Sequence, residues 1–253
     1  MSRLLIIPAA GLGSRLGADV PKVLVRVAGM TMLDRLLNLY RGWVRHVVLI
    51  VNPAFDDSIR KHVQSGIDAE RVSCVQQPQP TGMLDAILLG STVARRVEPS
   101  SVWITWCDQI AVHPRTVDRL GERTSSASHD ALVMPTVMQP SPYIHLERDS
   151  NGHIVGVLHR REGDTMPDTG ESDMGLFALS ATTYFNRLPA YANEVEVGQA
   201  TGERNFLPFI PWLARTETVS TFAAENPMEA VGINTPQDLA SVEQYLRSLG
   251  PQP

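Results

Sequence analysis

The stretch Ile6–Leu24, "IIPAAGLGSRLGADVPKVL", runs from apolar residues into two glycines, an arginine and a lysine. Gly11 and Gly13 let backbone amides approach a ligand closely and permit positive φ. Amides turned inward at such a place form a nest for an anion. Arg15 offers a planar fork that reaches two phosphate oxygens, and Lys22 adds a compact charge. Pro21 restricts the backbone just ahead of Lys22. Together these residues describe a cradle for a triphosphate. The plainer alternative is a tight turn carrying two solvated cations. Two common phosphate motifs are excluded: position 16 is Leu16 where a dinucleotide fingerprint has its third glycine, and the Gly-Lys-Ser/Thr of a P-loop is missing.

A second chemical group stands in "WITWCDQIAV". The carboxylate of Asp108 suits a hard cation that keeps waters and phosphate oxygens as its other ligands. The alternative is that Asp108 caps a helix, but the next helical pattern starts only near Pro114.

The elements that must position these groups follow from hydrophobic spacing. Leu4–Ala9 is a continuous apolar run closed by glycine, a buried strand. Met32, Leu33, Leu36, Leu37 and Tyr40 recur at helical spacing, and valine-rich Val47–Val51 is a second strand. A helix is expected over Phe55–Gln64, a strand over Arg71–Val75 and a helix over Met83–Ala94. A strand over Val102–Trp106 and a helix over Pro114–Arg123 follow. Strands alternating with helices imply an α/β, doubly wound, mostly parallel sheet. Ligands of such sheets bind beyond the carboxyl ends of the strands, where the glycine loop and Asp108 both fall.

From about Asp130 the pattern changes. Ala131–Val137, Ile144–Arg148 and Ile154–His159 are strand-like, and "DSNG" at 149–152 signals a hairpin. Residues 160–172 are polar and turn-rich, which predicts a mobile loop, before a strand at Leu176–Leu179. Another polar stretch, 192–205, precedes the apolar segment Phe206–Leu213, and Gln237–Leu249 is a closing amphipathic helix. The reading is one unit over 1–253 with two lobes, 1–128 and 129–225, and a closing segment, 226–253.

A net charge of −5 argues against broad binding to nucleic acid or an anionic membrane. Two cysteines, Cys74 and Cys107, lie in apolar runs and are expected to be buried free thiols. No charged leader precedes an apolar core and no segment is long enough to span a bilayer, so the expected location is the cytoplasm.

"PAAGLGSRLG" followed by "PKVL" resembles the signature of the sugar-1-phosphate nucleotidyltransferases: Ala-Ala-Gly-x-Gly-Ser/Thr-Arg-Met/Leu, then Pro-Lys. That family includes N-acetylglucosamine-1-phosphate uridylyltransferase domains and glucose-1-phosphate thymidylyltransferases. The resemblance implies a Rossmann-like sheet of the nucleotide-diphospho-sugar transferase type with a mixed-sheet acceptor-binding insert. It also implies Mg²⁺-dependent transfer from a nucleoside triphosphate to a phosphorylated acceptor, with release of pyrophosphate. The implied nucleotide-binding residues are Ala10, Gly11, Leu12, Gly13 and Ser14, with Arg15, Lys22 and Asp108 catalytic. In "QPQPTGMLDAIL", Gln77 would read a base edge and the Gly82 amide would approach the base. A side-chain amide donates and accepts at once, which suits a pyrimidine. "AVGINTPQDL" resembles the family string whose asparagine completes the metal site, so Asn234 joins Asp108 as a metal ligand. Thr235 and Pro236 equally read as the entry to a helix.

The acceptor half departs from the family. "YIHL", Tyr143–Leu146, stands where the uridylyltransferases have Tyr-Gly-Arg-Ile. His159 replaces a sugar-binding glutamate, Asp173 an asparagine, and Arg161 falls near a lysine position. His159, Arg161 and Asp173 are therefore the acceptor-binding candidates, for an acceptor other than N-acetylglucosamine 1-phosphate. "GERNFLPFIPWL" is only faintly similar to its family counterpart, and places Glu203 near the acceptor. Three rivals stay open. A sugar-transferring enzyme normally needs Asp-x-Asp where this chain has "CDQI". A nucleotidyltransferase could act on phosphocholine, a polyol phosphate, a phosphonate or the molybdenum cofactor. A nucleotide sensor could use the same fold without catalysis. Oligomeric state is not legible in the sequence.

Overall fold

The computed structural model describes residues 2–11, 13–17, 20–125 and 130–250. Its first half runs β1 (Arg3–Ala9), a short ribbon of β2 (Arg26–Val27) and β3 (Met30–Thr31), α1 (Met32–Tyr40), β4 (His46–Val51), α2 (Asp56–Ser65) and β5 (Val72–Gln76). It continues through α3 (Met83–Leu89), α4 (Ser91–Val97), β6 (Ser101–Thr105) and α5 (Pro114–Arg123). β1 is buried along its whole length. Leu5, Ile7 and Ala9 point into one apolar cluster and Leu4 and Ile6 into the other. A strand covered on both faces needs an unbroken apolar run rather than alternation. β4 and β6 flank β1 in parallel, and β5 pairs parallel with β4. The order β6-β1-β4-β5 therefore reverses direction between β1 and β6. That switch point is where a doubly wound sheet opens a crevice at its carboxyl edge.

The helices start where their caps dictate. Thr31 accepts a hydrogen bond from Asp34 N and launches α1, which buries Met32, Leu33, Leu36, Leu37 and Tyr40. α5 begins with Pro114 after His113, whose ring nitrogen accepts from Arg115 N. The single helix expected over Met83–Ala94 is two: Gly90 ends α3 and α4 begins at Ser91. Glycine is a poor helix former and marks the break.

The second half contains β7 (Leu132–Pro140), β8 (Ile144–Arg148), β9 (Ile154–His159), β10 (Thr169–Asp173), β11 (Leu176–Ser180), α6 (Leu188–Glu194), α7 (Phe209–Ala214), β12 (Val219–Ala223) and α8 (Pro236–Ser248). The expected mixed-sheet insert takes a different form. β11 adds antiparallel to β6, β7 follows, β10 continues along that edge of β7, and β12 pairs with β7 in parallel. All four extend one eight-stranded sheet, and among the described residues of this half β8 and β9 form a hairpin apart from it. β7 sends Val133 and Val137 into one cluster and Leu132 and Met134 into the other, so it is covered on both faces like β1.

The mobile loop expected over 160–172 is corrected at its end, because 169–173 is β10. Its sequence, Thr-Gly-Glu-Ser-Asp, has no apolar pattern; pairing with β7 and an ion pair from Arg148 to Glu171 at 2.6 Å hold it. The "DSNG" turn closes the β8–β9 hairpin, with Asp149 Oδ1 accepting from Asn151 N and His153 N, each at 2.9 Å. Cys74 and Cys107 are free but half-buried rather than fully buried. Burial pushes the Cys107 thiol up to about 12, which keeps it protonated and unreactive. Among the described residues no helix is long and apolar enough to cross a membrane.

Candidate active site

The loop after β1 is anchored before it reaches its charged residues. Asn52, just past β4, donates from Nδ2 to the Ala10 carbonyl at 3.2 Å. Gly13 has φ +64°, and a Cβ there would stand 2.8 Å from Lys22 Cβ, so only glycine lets the loop fold back onto Lys22. Ser14–Leu16 is a 3₁₀ turn closed by Leu16 N on Gly13 O at 3.0 Å. Leu16 is buried as its anchor while Arg15 is exposed. Pro21 opens a second 3₁₀ turn, Lys22–Leu24, fixed by buried Val23. Gly11 is exposed, and Leu12 lies outside the described residues.

These turns aim both cations at one place. Lys22 Nζ donates to Asp108 Oδ2 at 2.6 Å and to Asn234 Oδ1 at 2.9 Å, and Arg15 donates to the same Asn234 oxygen at 3.1 Å. Arg15 and Asn234 are 219 positions apart in the chain. Two cations face one carboxylate and one neutral amide, so the cluster carries an excess positive charge. Asp108 does not cap a helix, since α5 starts only at Pro114.

The loop carrying Asn234 is stitched to Asp108 by its backbone. Ile233 N donates to Asp108 O at 3.3 Å, and Gln109 Nε2 to Ala230 O at 3.3 Å. Thr235 caps α8 in a capping box with Asp238, and Pro236 opens the helix. Asp238 Oδ2 also accepts from Asn234 N at 3.0 Å, so the cap and the presentation of Asn234 belong to one device. At the loop's start, buried Glu229 accepts from His113 N at 2.9 Å and Thr116 Oγ1 at 2.6 Å, and closes a second capping box with Asn226. Sequence reading missed Glu229 and Asp238. The spacings Asn226–Glu229 and Thr235–Asp238 carry their signal.

The donor set at this point suits a small hard cation. One carboxylate oxygen and one amide oxygen already converge on a single positive nitrogen, Lys22 Nζ. Among the described residues no group of three or more His, Cys, Asp or Glu could form a full cage. Two protein oxygens, with the remainder left to water and phosphate, would suit a magnesium ion.

Gln77 and Gly82 are also brought together. Gln77 is buried and donates from Nε2 to Gly82 O at 3.1 Å. Gly82 has φ +119°, and a Cβ on it would stand 2.5 Å from Arg204 N and O. In the second half, His159 packs edge-on against the Tyr143 ring, centroids 5.3 Å apart, and its backbone N–H donates to Asp164 Oδ2 at 2.7 Å. Burial holds its pKa below the ordinary value. Arg161 is exposed and lies 3.4 Å from Glu203 Oε1.

Asp173 is buried at the end of β10, where Oδ1 accepts from Gly175 N at 2.7 Å. Burial pushes its carboxyl up to about 6 despite that bond. The folded chain thus keeps a proton that the unfolded chain releases near pH ~4. The group's contribution to stability is complete below about pH 4 and is lost as pH rises through about 6. Asp173→Asn is expected to melt higher than the wild type at pH 7.5, by the equivalent of about 3 kcal/mol, and to match it near pH ~4. Thermal denaturation at both pH values checks this, and equal melting at pH 7.5 would contradict it.

Residues 5–182 match the family described as MobA-like NTP transferase domain. The bifunctional protein GlmU of Solibacter usitatus (strain Ellin6076) is 23% identical over 250 residues, covering 96% of this chain and 51% of that protein. The bifunctional protein GlmU of Pelotomaculum thermopropionicum is 26% identical over 247 residues, covering 96% and 51%. The chain spans about half the length of these curated relatives. Among solved structures, a protein designated a glucose-1-phosphate thymidylyltransferase from Bacillus anthracis superposes with a TM-score of 0.79 at 14% identity. The match covers 100% of this chain and 98% of that one, and the likeness is one of fold. The doubly wound, mostly parallel, Rossmann-like sheet expected from the sequence is the architecture found.

Proposed function

The chain belongs to the MobA-like NTP transferase domain family, and from that premise we propose that it joins a nucleoside triphosphate, a pyrimidine one, to a sugar 1-phosphate. Pyrophosphate leaves, and Mg²⁺ is held by Asp108 and Asn234. One observation carries this reading: Arg15, Lys22, Asp108 and Asn234 meet within hydrogen-bond distance beyond the carboxyl ends of β1 and β6. An excess of positive charge at a sheet's switch point, with two hard oxygens beside it, fits a polyphosphate and its metal.

An oxygen of the acceptor phosphate attacks the α-phosphorus in line as the bond to the β-phosphate oxygen breaks. That phosphate is already nucleophilic, so no protein nucleophile or base is required. The chain's task is placement and charge stabilisation. Amides of the Gly11–Gly13 loop and the Arg15 fork hold the departing pyrophosphate. Lys22, on a flexible four-carbon stem, swings from Asp108 to the α-phosphate oxygens as negative charge grows on them. A metal held by Asp108 and Asn234 would supply further positive charge beside the α-phosphate. Gln77 and Gly82 face the base.

The test is a pyrophosphate-release screen with Mg²⁺. UTP, dTTP, CTP, ATP and GTP are crossed with sugar phosphates and with phosphocholine, polyol phosphates and phosphonates. Release that requires both substrates and stops with EDTA is the expected result. One observation favours a second reading, a non-sugar acceptor. Asp173, the candidate for sugar hydroxyls, is buried with one carboxylate oxygen committed to Gly175 N. Activity confined to the non-sugar arm would select that reading. Tight nucleotide binding without release across the panel would select a sensor.

A further inference from the structure

We propose that Arg204 is a positioning residue that sets base selectivity from the acceptor side of the molecule, an inference that rests on the nucleotidyltransferase reading above. The turn carrying Gln77 and Gly82 is held at its start by Gln77 N on Val51 O at 2.9 Å, and around Gly82 by Arg204. Arg204 N donates to Thr81 O at 2.9 Å, and Leu84 N donates to Arg204 O at 3.1 Å. These two bonds bracket Gly82, whose missing side chain lets the two backbones touch. The guanidinium then grips both sides of the seam. One nitrogen donates to the Ala192 carbonyl in α6 at 2.7 Å, and the other pairs with Asp85 in the first turn of α3. The turn borders a cavity of about 540 Å³ lined by Gln77, Gln79, Thr81 and Asp85, and Arg204 lines the same cavity.

Arg204 in turn belongs to a segment tied to the acceptor candidates. Glu162, next to Arg161, accepts from Thr201 Oγ1 at 2.6 Å, Asn205 Nδ2 at 2.9 Å and Ala200 N at 3.2 Å. Hydrogen bonds thus tie Glu162, just past β9, to residues 200–205, and tie Arg204 to Thr81 O and Leu84 N on either side of Gly82, whose carbonyl accepts from the Gln77 amide. A displacement of this segment moves the groups facing the base and leaves Arg15 and Lys22 where they are.

The test separates the base from the phosphates. The ratio of kcat/KM between UTP and ATP is measured for the wild type, Arg204→Met and Arg204→Lys, together with the affinity for inorganic pyrophosphate, which has no base. In Arg204→Met the ratio is expected to move about ten-fold toward one, the equivalent of about 1.4 kcal/mol. Pyrophosphate affinity should stay within about two-fold, because its contacts share no partner with Arg204. Arg204→Lys should recover part of the ratio, since an ammonium can hold Asp85 but not Asp85 and Ala192 together. Asp85→Asn is the second variant if Arg204→Met does not fold, and should shift the ratio the same way by less. An unchanged ratio in the folded variants overturns the proposal, and so does an equal loss of pyrophosphate affinity. A wild type that binds neither UTP nor pyrophosphate overturns the functional reading itself, and this role with it.

Discussion

Lys22→Met is expected to lower turnover by about 10²- to 10³-fold at saturating substrates, the scale of losing one aimed charge stabiliser. Lys22 is fixed by sequence features on each side of it. Pro21 and buried Val23 set its backbone, and the absent Gly13 side chain makes room for its Cβ. Its ammonium is poised between Asp108 at 2.6 Å and Asn234 at 2.9 Å, so it starts beside the metal ligands and needs only to rotate its stem to meet the α-phosphate. Methionine keeps the aliphatic stem and removes the charge, which separates electrostatics from packing. The charge is needed most as negative charge builds in the transition state. kcat and kcat/KM should therefore fall together, with a smaller change in KM for the nucleotide, which Arg15 still holds. Lys22→Arg should not rescue, because a planar fork does not fit the space of a compact ammonium. Steady-state pyrophosphate release measures all three enzymes. A turnover within a few-fold of wild type in Lys22→Met would remove Lys22 from the chemistry.

The parts of the fold that the sequence displayed are those ruled by hydrophobic period. β1 and β4 are buried on both faces, so their apolar runs were continuous and visible. α5 was bounded correctly because Pro114 opens it and its apolar spacing is regular. The convergence of Arg15, Lys22 and Asp108 followed from topology, since residues just past neighbouring parallel strands must lie together. β10 and β12 were not visible, because pairing with β7 and the Arg148–Glu171 ion pair hold strands whose own sequences are polar or short. Glu229 and Arg204 were missed for a related reason. Each reaches a partner more than 100 positions away, Glu229 on Thr116 and Arg204 on Asp85; the capping-box spacing from Asn226 marks Glu229 as a helix-entry residue, but nothing local marks either distant contact. Gly82 was legible as a special position. Its reason was not, because the backbone it touches belongs to residue 204.

Asp108→Asn should lower turnover by about 10²-fold or more and should also raise the Mg²⁺ concentration needed for half the maximal rate. The substitution keeps the shape of the side chain and its place at the end of β6, where Ile233 N binds the Asp108 carbonyl and not its side chain. The loop carrying Asn234 should therefore stay docked, while melting should fall because Lys22 loses its largely buried carboxylate partner at 2.6 Å. What is lost is the full negative charge, and an amide oxygen is a weaker partner for a hard divalent ion than a carboxylate. The Mg²⁺ requirement separates this variant from Lys22→Met. Removing the ammonium from beside Asp108 leaves both oxygens in place and takes away a competing cation, so Lys22→Met should need no more Mg²⁺ than wild type. The two variants would then share a slow rate and differ in the direction of their metal dependence. A Mg²⁺ titration of both enzymes at fixed, saturating nucleotide and acceptor decides it. If Asp108→Asn reaches half its maximal rate at the wild-type Mg²⁺ concentration, Asp108 does not hold the metal.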